Sequence, residues 1–380
     1  MVPKRTGRLP SVEKGRAMGS GSRALGVAAV LAFGLVSACD TGGAGGADDG
    51  PGEEGAGPSG LVLLHRGYAG GDPREEQRLV FHDPDTGEER TAVDLPDGAV
   101  DPMAPRLPVH RQFSADWSYF AYSTPDTPAV RVAALTEDGS AYETTAELDP
   151  PQGEEWSAPR IHGDRLWFAA QATQQSSGPD LPGGNQAGRT ATAMSVELED
   201  ADGQPQEEGE LPLNDAGRPD GWGVGPDEQL STSRDEQTVN GTSGTLRYRQ
   251  RGDTVLGATL SSGQDELRRL RVAPVWGENT VILAPRAESG GQSSGSGGGA
   301  RAVTVDGSAD SFEETTVFTP EEGRVRQYAP SPERDLLLVQ DDAAWYAVDV
   351  DDPGGGSGEK RFDAPRDASM EGYPLVAGWA

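Results

Sequence analysis

The chain holds one cysteine, four histidines and no long uninterrupted hydrophobic run in 380 residues. A single cysteine rules out an internal disulfide, so any exported form must be stable through its core alone. The histidines (His65, His82, His110 and His162) show neither H-x-H nor H-E-x-x-H spacing, and no metal is expected. Positive charge is also scarce: 32 Lys and Arg stand against 62 Asp and Glu, a net charge of −30. So acidic a surface argues against nucleic acid as a partner and favours solubility by self-repulsion. No G-x-S-x-G elbow, phosphate loop or dinucleotide fingerprint is present.

The scarce bases are unevenly placed. Lys4, Arg5, Arg8, Lys14, Arg16 and Arg23 crowd the amino end against one acid, Glu13, and an apolar run follows from Ala24 to Val36. A charged segment followed by a short apolar one is a secretion signal, too short for a permanent span. Met18 would open a tidier signal of the same kind, and no adjacent arginine pair precedes the apolar run. Leu35-Val36-Ser37-Ala38-Cys39 then resembles the lipobox of bacterial lipoprotein precursors, with Cys39 the only thiol. That resemblance implies cleavage after Ala38, diacylglycerol on Cys39 and no other cofactor. It implies a membrane-anchored, extracytoplasmic protein.

Residues 39–59 follow as an acidic, glycine-rich tether with no side chain able to build a core. Twenty such residues reach roughly 25 Å. The Ala, Gly, Arg, Asp and Pro bias resembles that of an actinobacterial proteome.

Residues 60–380 contain a recurring hairpin, an alternating strand and an acidic glycine turn followed by a second strand. Copies begin near 79, 130, 194, 245, 302 and 345, at spacings of 43 to 64 residues. Phe113–Ser123 and Pro330–Val339 resemble the S-P-D-G-x-x-aliphatic-A-aromatic strand of TolB-like and WD40-like β-propellers, although the Trp-Asp pair of WD40 blades is absent. The resemblance implies an all-β propeller of about six four-stranded blades, or seven if residues 214–274 hide two. Paired β-sandwiches are the other architecture that fits. Gly60–Arg66 has no strand before it, so the apolar tail Gly372–Ala380 is expected to complete the first blade. The long connections at 67–77, 123–129, 171–189 and 288–300 are expected on the face away from the tether.

Asp83–Glu89 and Asp349–Asp352 read as acidic hairpin turns, lacking the EF-hand register, and Arg251-Gly-Asp253 as a turn. The seven tryptophans are expected mostly between blades. Trp156 and Trp222 lie in stretches read as irregular and are the candidates for facing a ligand at the central opening. With no catalytic motif, the chain is expected to be a monomeric binding or scaffolding module for an envelope protein or extracellular ligand, not an enzyme. A propeller hydrolase, lyase or quinone-type dehydrogenase with its site at the central channel is the alternative.

Overall fold

Why Leu61-Val-Leu-Leu64 is apolar at every position becomes clear in the computed structural model. It describes residues 60–380 except 102–108, 125–126, 174–189, 201–202, 214–216, 220, 242–243, 252–253, 263–264, 270–278, 286–298, 306–310, 322, 351–355 and 367–371. The signal, Cys39 and the tether therefore lie outside the described residues, as do most of the connections at 171–189 and 288–300.

The described residues form antiparallel sheets and no α-helix. The first sheet has β1 (Leu61–Arg66), β2 (Gln77–His82), β3 (Glu89–Asp94) and, on the far side of β1, β24 (Leu375–Trp379). The second has β4 (Tyr119–Tyr122), β5 (Val130–Leu135) and β6 (Tyr142–Leu148), with Phe113 bridging to Phe120. In the third, β7 (Glu154–His162), β8 (Arg165–Ala172), β9 (Ala191–Glu197) and β10 (Gln206–Leu211) lie in chain order. A short pair follows, β11 (Gly223–Val224) and β12 (Leu230–Ser231). Next come β13 (Gln237–Asn240), β14 (Thr245–Arg251), β15 (Thr254–Ser262), β16 (Asp265–Arg269), β17 (Thr280–Pro285), β18 (Ala300–Val305) and β19 (Phe312–Phe318), hydrogen-bonded as seven strands. The last sheet holds β20 (Gln327–Pro330), β21 (Leu337–Gln340), β22 (Ala344–Val348) and β23 (Glu359–Asp363).

Side chains alternate between the two faces of a strand, so a strand buried on both faces must be apolar throughout. In β1, Val62 and Leu64 pack with Phe113, Phe120 and Tyr142 of the second sheet. Leu61 and Leu63 pack the other way, with Leu338, Trp345 and Phe362 of the last sheet. The division repeats in β8, where Leu166 and Phe168 meet Val130 and Val132 while Trp167 and Ala169 meet Trp222. It repeats again in β21, with Leu337 and Val339 toward Ile282 and Val317, and Leu338 toward Leu61. The first, third and last sheets are thus each a layer between two apolar seams, the radial stacking of a β-propeller. A one-residue slip in any of these strands would exchange its two seams.

All six sequence hairpins are present, as β2–β3, β5–β6, β9–β10, β14–β15, β18–β19 and β22–β23. Three differences from the expected blades stand out. Residues 237–318 do not form separate four-stranded sheets: β16 bridges β15 and β17, while Val255 and Leu260 still face Val281 and Val303 across a common seam. Pro159–Ala170, read as one strand, is two, broken by a turn at Gly163 with φ +57°. The stretch around Trp156 is regular strand, not loop. The tail pairs with β1 through Leu61 with Trp379 and Leu64 with Leu375, and Gly60 and Ala380 exchange N–H···O bonds of 2.8 and 3.0 Å.

Candidate functional site at the inner strands

Three inner segments bring charged side chains together. Val109–Arg111 forms a single 3-10 turn ahead of Phe113, and β7 and the β11–β12 turn lie beside it. Arg160, on β7 and 7 % exposed, stacks its guanidinium 3.8 Å from the centre of the Trp222 ring. Its Nη1 donates to the Trp222 carbonyl at 2.7 Å. Two interactions on one arginine fix its plane, as a cation over an aromatic face requires.

Gly223 follows Trp222, and a methyl group placed there would sit 3.2 Å from Arg111 Nη1 and 3.8 Å from Arg160 Nη1. The two guanidinium groups therefore flank one glycine, whose missing side chain leaves them room. His162, two residues beyond Arg160 on β7, is half-buried. Burial pushes its imidazole below the ordinary histidine range. The nearby Glu228 and Asp227 carboxylates and a hydrogen bond to the Gly225 backbone oppose that shift, while Arg111 adds to it. His162 is thus held mainly neutral at neutral pH, with a carboxylate and a guanidinium near it. A neutral imidazole can accept a proton, and guanidinium groups can hold an anionic group or developing negative charge.

Glu228 stands in the left-handed region at φ +58° in the turn Gly225-Pro-Asp-Glu228, its N–H bonded to the Gly225 carbonyl at 2.9 Å. For a residue with a side chain this backbone costs on the order of 1 kcal/mol. This strained position lies beside His162.

The ligand candidates from the sequence fall differently. Trp156 is 7 % exposed, stacks on Phe168 with ring centres 4.8 Å apart and donates to Glu154 at 3.1 Å, a core role between the second and third sheets. Trp222 is 2 % exposed and serves as the platform for Arg160. Both rings are enclosed by protein. Arg111, Arg160, His162 and Glu228 carry no local motif, because they come from three segments up to 117 residues apart. Only the perturbed histidine beside a left-handed acidic residue marks them.

His65 and His82 do meet. Their Nε2 atoms lie 3.4 Å apart, and His82 Nδ1 is 3.0 Å from the Gly87 carbonyl. Among the described residues no group of three or more His, Cys, Asp or Glu is arranged to hold a metal. Asp83–Glu89 is a hairpin turn, with Asp83 accepting from the Asp85 and Thr86 N–H groups at 2.9 Å. Gly252 and Asp253 of the Arg-Gly-Asp sequence lie outside the described residues, as do Asp351 and Asp352.

No family model matches the sequence, and no curated protein matches it. Among solved structures the chain is similar to one from Bacteroides uniformis named provisionally as a 6-phosphogluconolactonase, at 12 % identity, 79 % of this chain, 94 % of that chain and a TM-score of 0.42. It is similar to the periplasmic gluconolactonase PpgL of Pseudomonas aeruginosa at 16 %, 84 %, 88 % and 0.40. It is also similar to TolB of Acinetobacter baumannii at 11 %, 84 %, 65 % and 0.33. Two of these structures carry lactonase names, which stand against the expectation that the chain is not an enzyme. The missing motif excludes little in a fold where inner-strand groups are scattered along the chain. At these scores the likeness says nothing of substrate.

Proposed function

We propose that the chain is a lipid-anchored, extracytoplasmic six-bladed propeller that hydrolyses a small ester or lactone bearing an anionic group. The observation that carries this reading is the convergence of Arg111, Arg160, His162 and Glu228 at the inner strands. In this reading Arg111 and Arg160 hold the substrate's anionic group. Neutral His162 takes a proton from water as the water oxygen adds to the carbonyl, and the same proton is returned to the departing oxygen. Glu228 keeps the imidazole from being too weak a base. The lipobox-like Leu35–Cys39 supports the anchor, and the apolar seams on both faces of the sheets support the ring. Plain scaffolding does not call for an arginine fixed by both ring and carbonyl beside a neutral histidine.

The test is hydrolysis of 6-phosphogluconolactone and of glucono-δ-lactone, followed in a pH-stat against the spontaneous rate. The phosphorylated substrate is expected to react faster, His162→Ala to lower kcat by about 10²-fold or more, and Arg111→Ala to act mainly on KM. A wild-type rate equal to that of buffer on both lactones sinks the hydrolase reading.

A further inference from the structure

A second site lies apart from the arginine cluster, at the ends of the inner strands of the last, first and second sheets. There a cleft of about 290 Å³ opens between β24, the turn after β20 and the turn before β4. We propose that this cleft binds a small anion with a flat apolar body, an aromatic carboxylate being the simplest member of the class.

The first observation is backbone geometry. Ser114-Ala-Asp-Trp117 and Ser331-Pro-Glu-Arg334 are the same turn. In both, the fourth residue donates its N–H to the first carbonyl, at 3.1 and 3.0 Å, and the serine Oγ accepts from a backbone N–H five residues on, at 2.9 and 3.1 Å. The fourth position is left-handed, at φ +61° in Trp117 and φ +60° in Arg334, where glycine would be free of strain. A bulky aromatic and an arginine stand there instead, and both line this one cleft. Trp117 is also anchored, since its ring lies against the bare backbone of Gly378, where a methyl group would come within 3.1 Å.

The second observation is charge. Asp and Glu make up 62 of 380 residues, about one in six, yet none of the cleft's lining residues carries a carboxylate. Its ionisable side chains are Arg334 and His110. Two acids of these turns are taken up within them, Asp116 accepting from Ser114 Oγ at 2.6 Å and Asp335 from Ser331 Oγ at 2.7 Å, while Glu333, next to Arg334, is exposed and does not line the cleft. A basic cleft on so acidic a protein selects for anions. Phe113, Trp117 and Trp379 supply the apolar wall for a flat body. This inference stands independently of the hydrolase reading.

The experiment titrates the full chain with 2-naphthoate and with its uncharged amide, 2-naphthamide, by calorimetry. The acid is expected to bind at least tenfold more tightly than the amide, and Arg334→Gln to erase that preference. Trp379→Ala is expected to weaken both ligands. Arg334→Gly separates structure from recognition: it is expected to abolish the preference while leaving the unfolding midpoint unchanged or higher. Equal affinity for acid and amide, no saturable binding, or a preference that survives Arg334→Gln would each overturn the proposal. So would loss of naphthoate binding in Arg111→Ala, which would move the anion site to the channel cluster.

Discussion

His65 Nε2 and His82 Nε2 lie 3.4 Å apart in the seam between the first and last sheets, their side chains 6 % and 2 % exposed. Burial drives His65 down to about 3, with His82 and then Arg66 adding to it, and burial likewise lowers His82. Both are neutral in the folded state.

The unfolded chain takes up these protons below its ordinary histidine range near 6.5, whereas the folded chain resists. Their contribution is therefore complete above about pH 6.5 and is lost as pH falls below it, for His65 down to about 3. The slope should be roughly 1 kcal/mol per pH unit for His65. Urea midpoints measured from pH 7.5 to 4.5 should fall more steeply for the wild type than for a His65→Phe, His82→Phe double variant. Parallel curves would remove the histidines from the account.

Gly87 sits at φ +73°, and a methyl group there would lie 2.5 Å from the Phe362 ring across the same seam. Gly98, at φ +67°, has nothing within 4 Å. Gly98→Ala should cost about 1 kcal/mol from backbone alone, and Gly87→Ala about 2–4 kcal/mol, because overpacking adds to strain. Equal costs by chemical denaturation would show that the seam yields freely.

Glu228→Gly should move stability and activity in opposite directions. Releasing the left-handed strain at φ +58° should add roughly 1 kcal/mol to folding. Removing the carboxylate should lower the His162 pKa further and weaken it as a base, slowing lactone hydrolysis most on the neutral plateau of the profile and least at its acid side. A variant that is both less stable and fully active would contradict the role given to Glu228.

Cys39→Ala should transfer the protein from the detergent-rich to the aqueous phase of a Triton X-114 partition, with its thermal midpoint unchanged. If the unsubstituted protein already enters the aqueous phase, the lipid anchor is wrong.

The hairpins were readable because their turns announce themselves: Thr86-Gly87 and Asp138-Gly139 put a left-handed glycine, φ +73° and +68°, between alternating strands. Not all of the innermost strands were. β7 runs Glu154–His162 with Pro159 inside it and a register shift between Ser157 and Arg160, so its apolar period is broken. β16, Asp265–Arg269, lacks the apolar alternation of a strand and gains its place from two neighbours. The arginine cluster was illegible for a different reason: Arg111, Arg160 and Glu228 become neighbours only when separate sheets stack.

The bonds between Gly60 and Ala380 join the first and last of the described residues. Until Leu375–Trp379 arrives, β1 presents an unpaired edge carrying Leu61-Val-Leu-Leu64, the kind of edge that recruits other chains. So distant a pairing also makes completion slow, since the longest loop in the molecule must close last. A chain threaded across a membrane amino end first would emerge with this apolar strand leading and its partner trailing. Rapid dilution at the exit side, or a holding factor there, would govern its yield more than its final stability does.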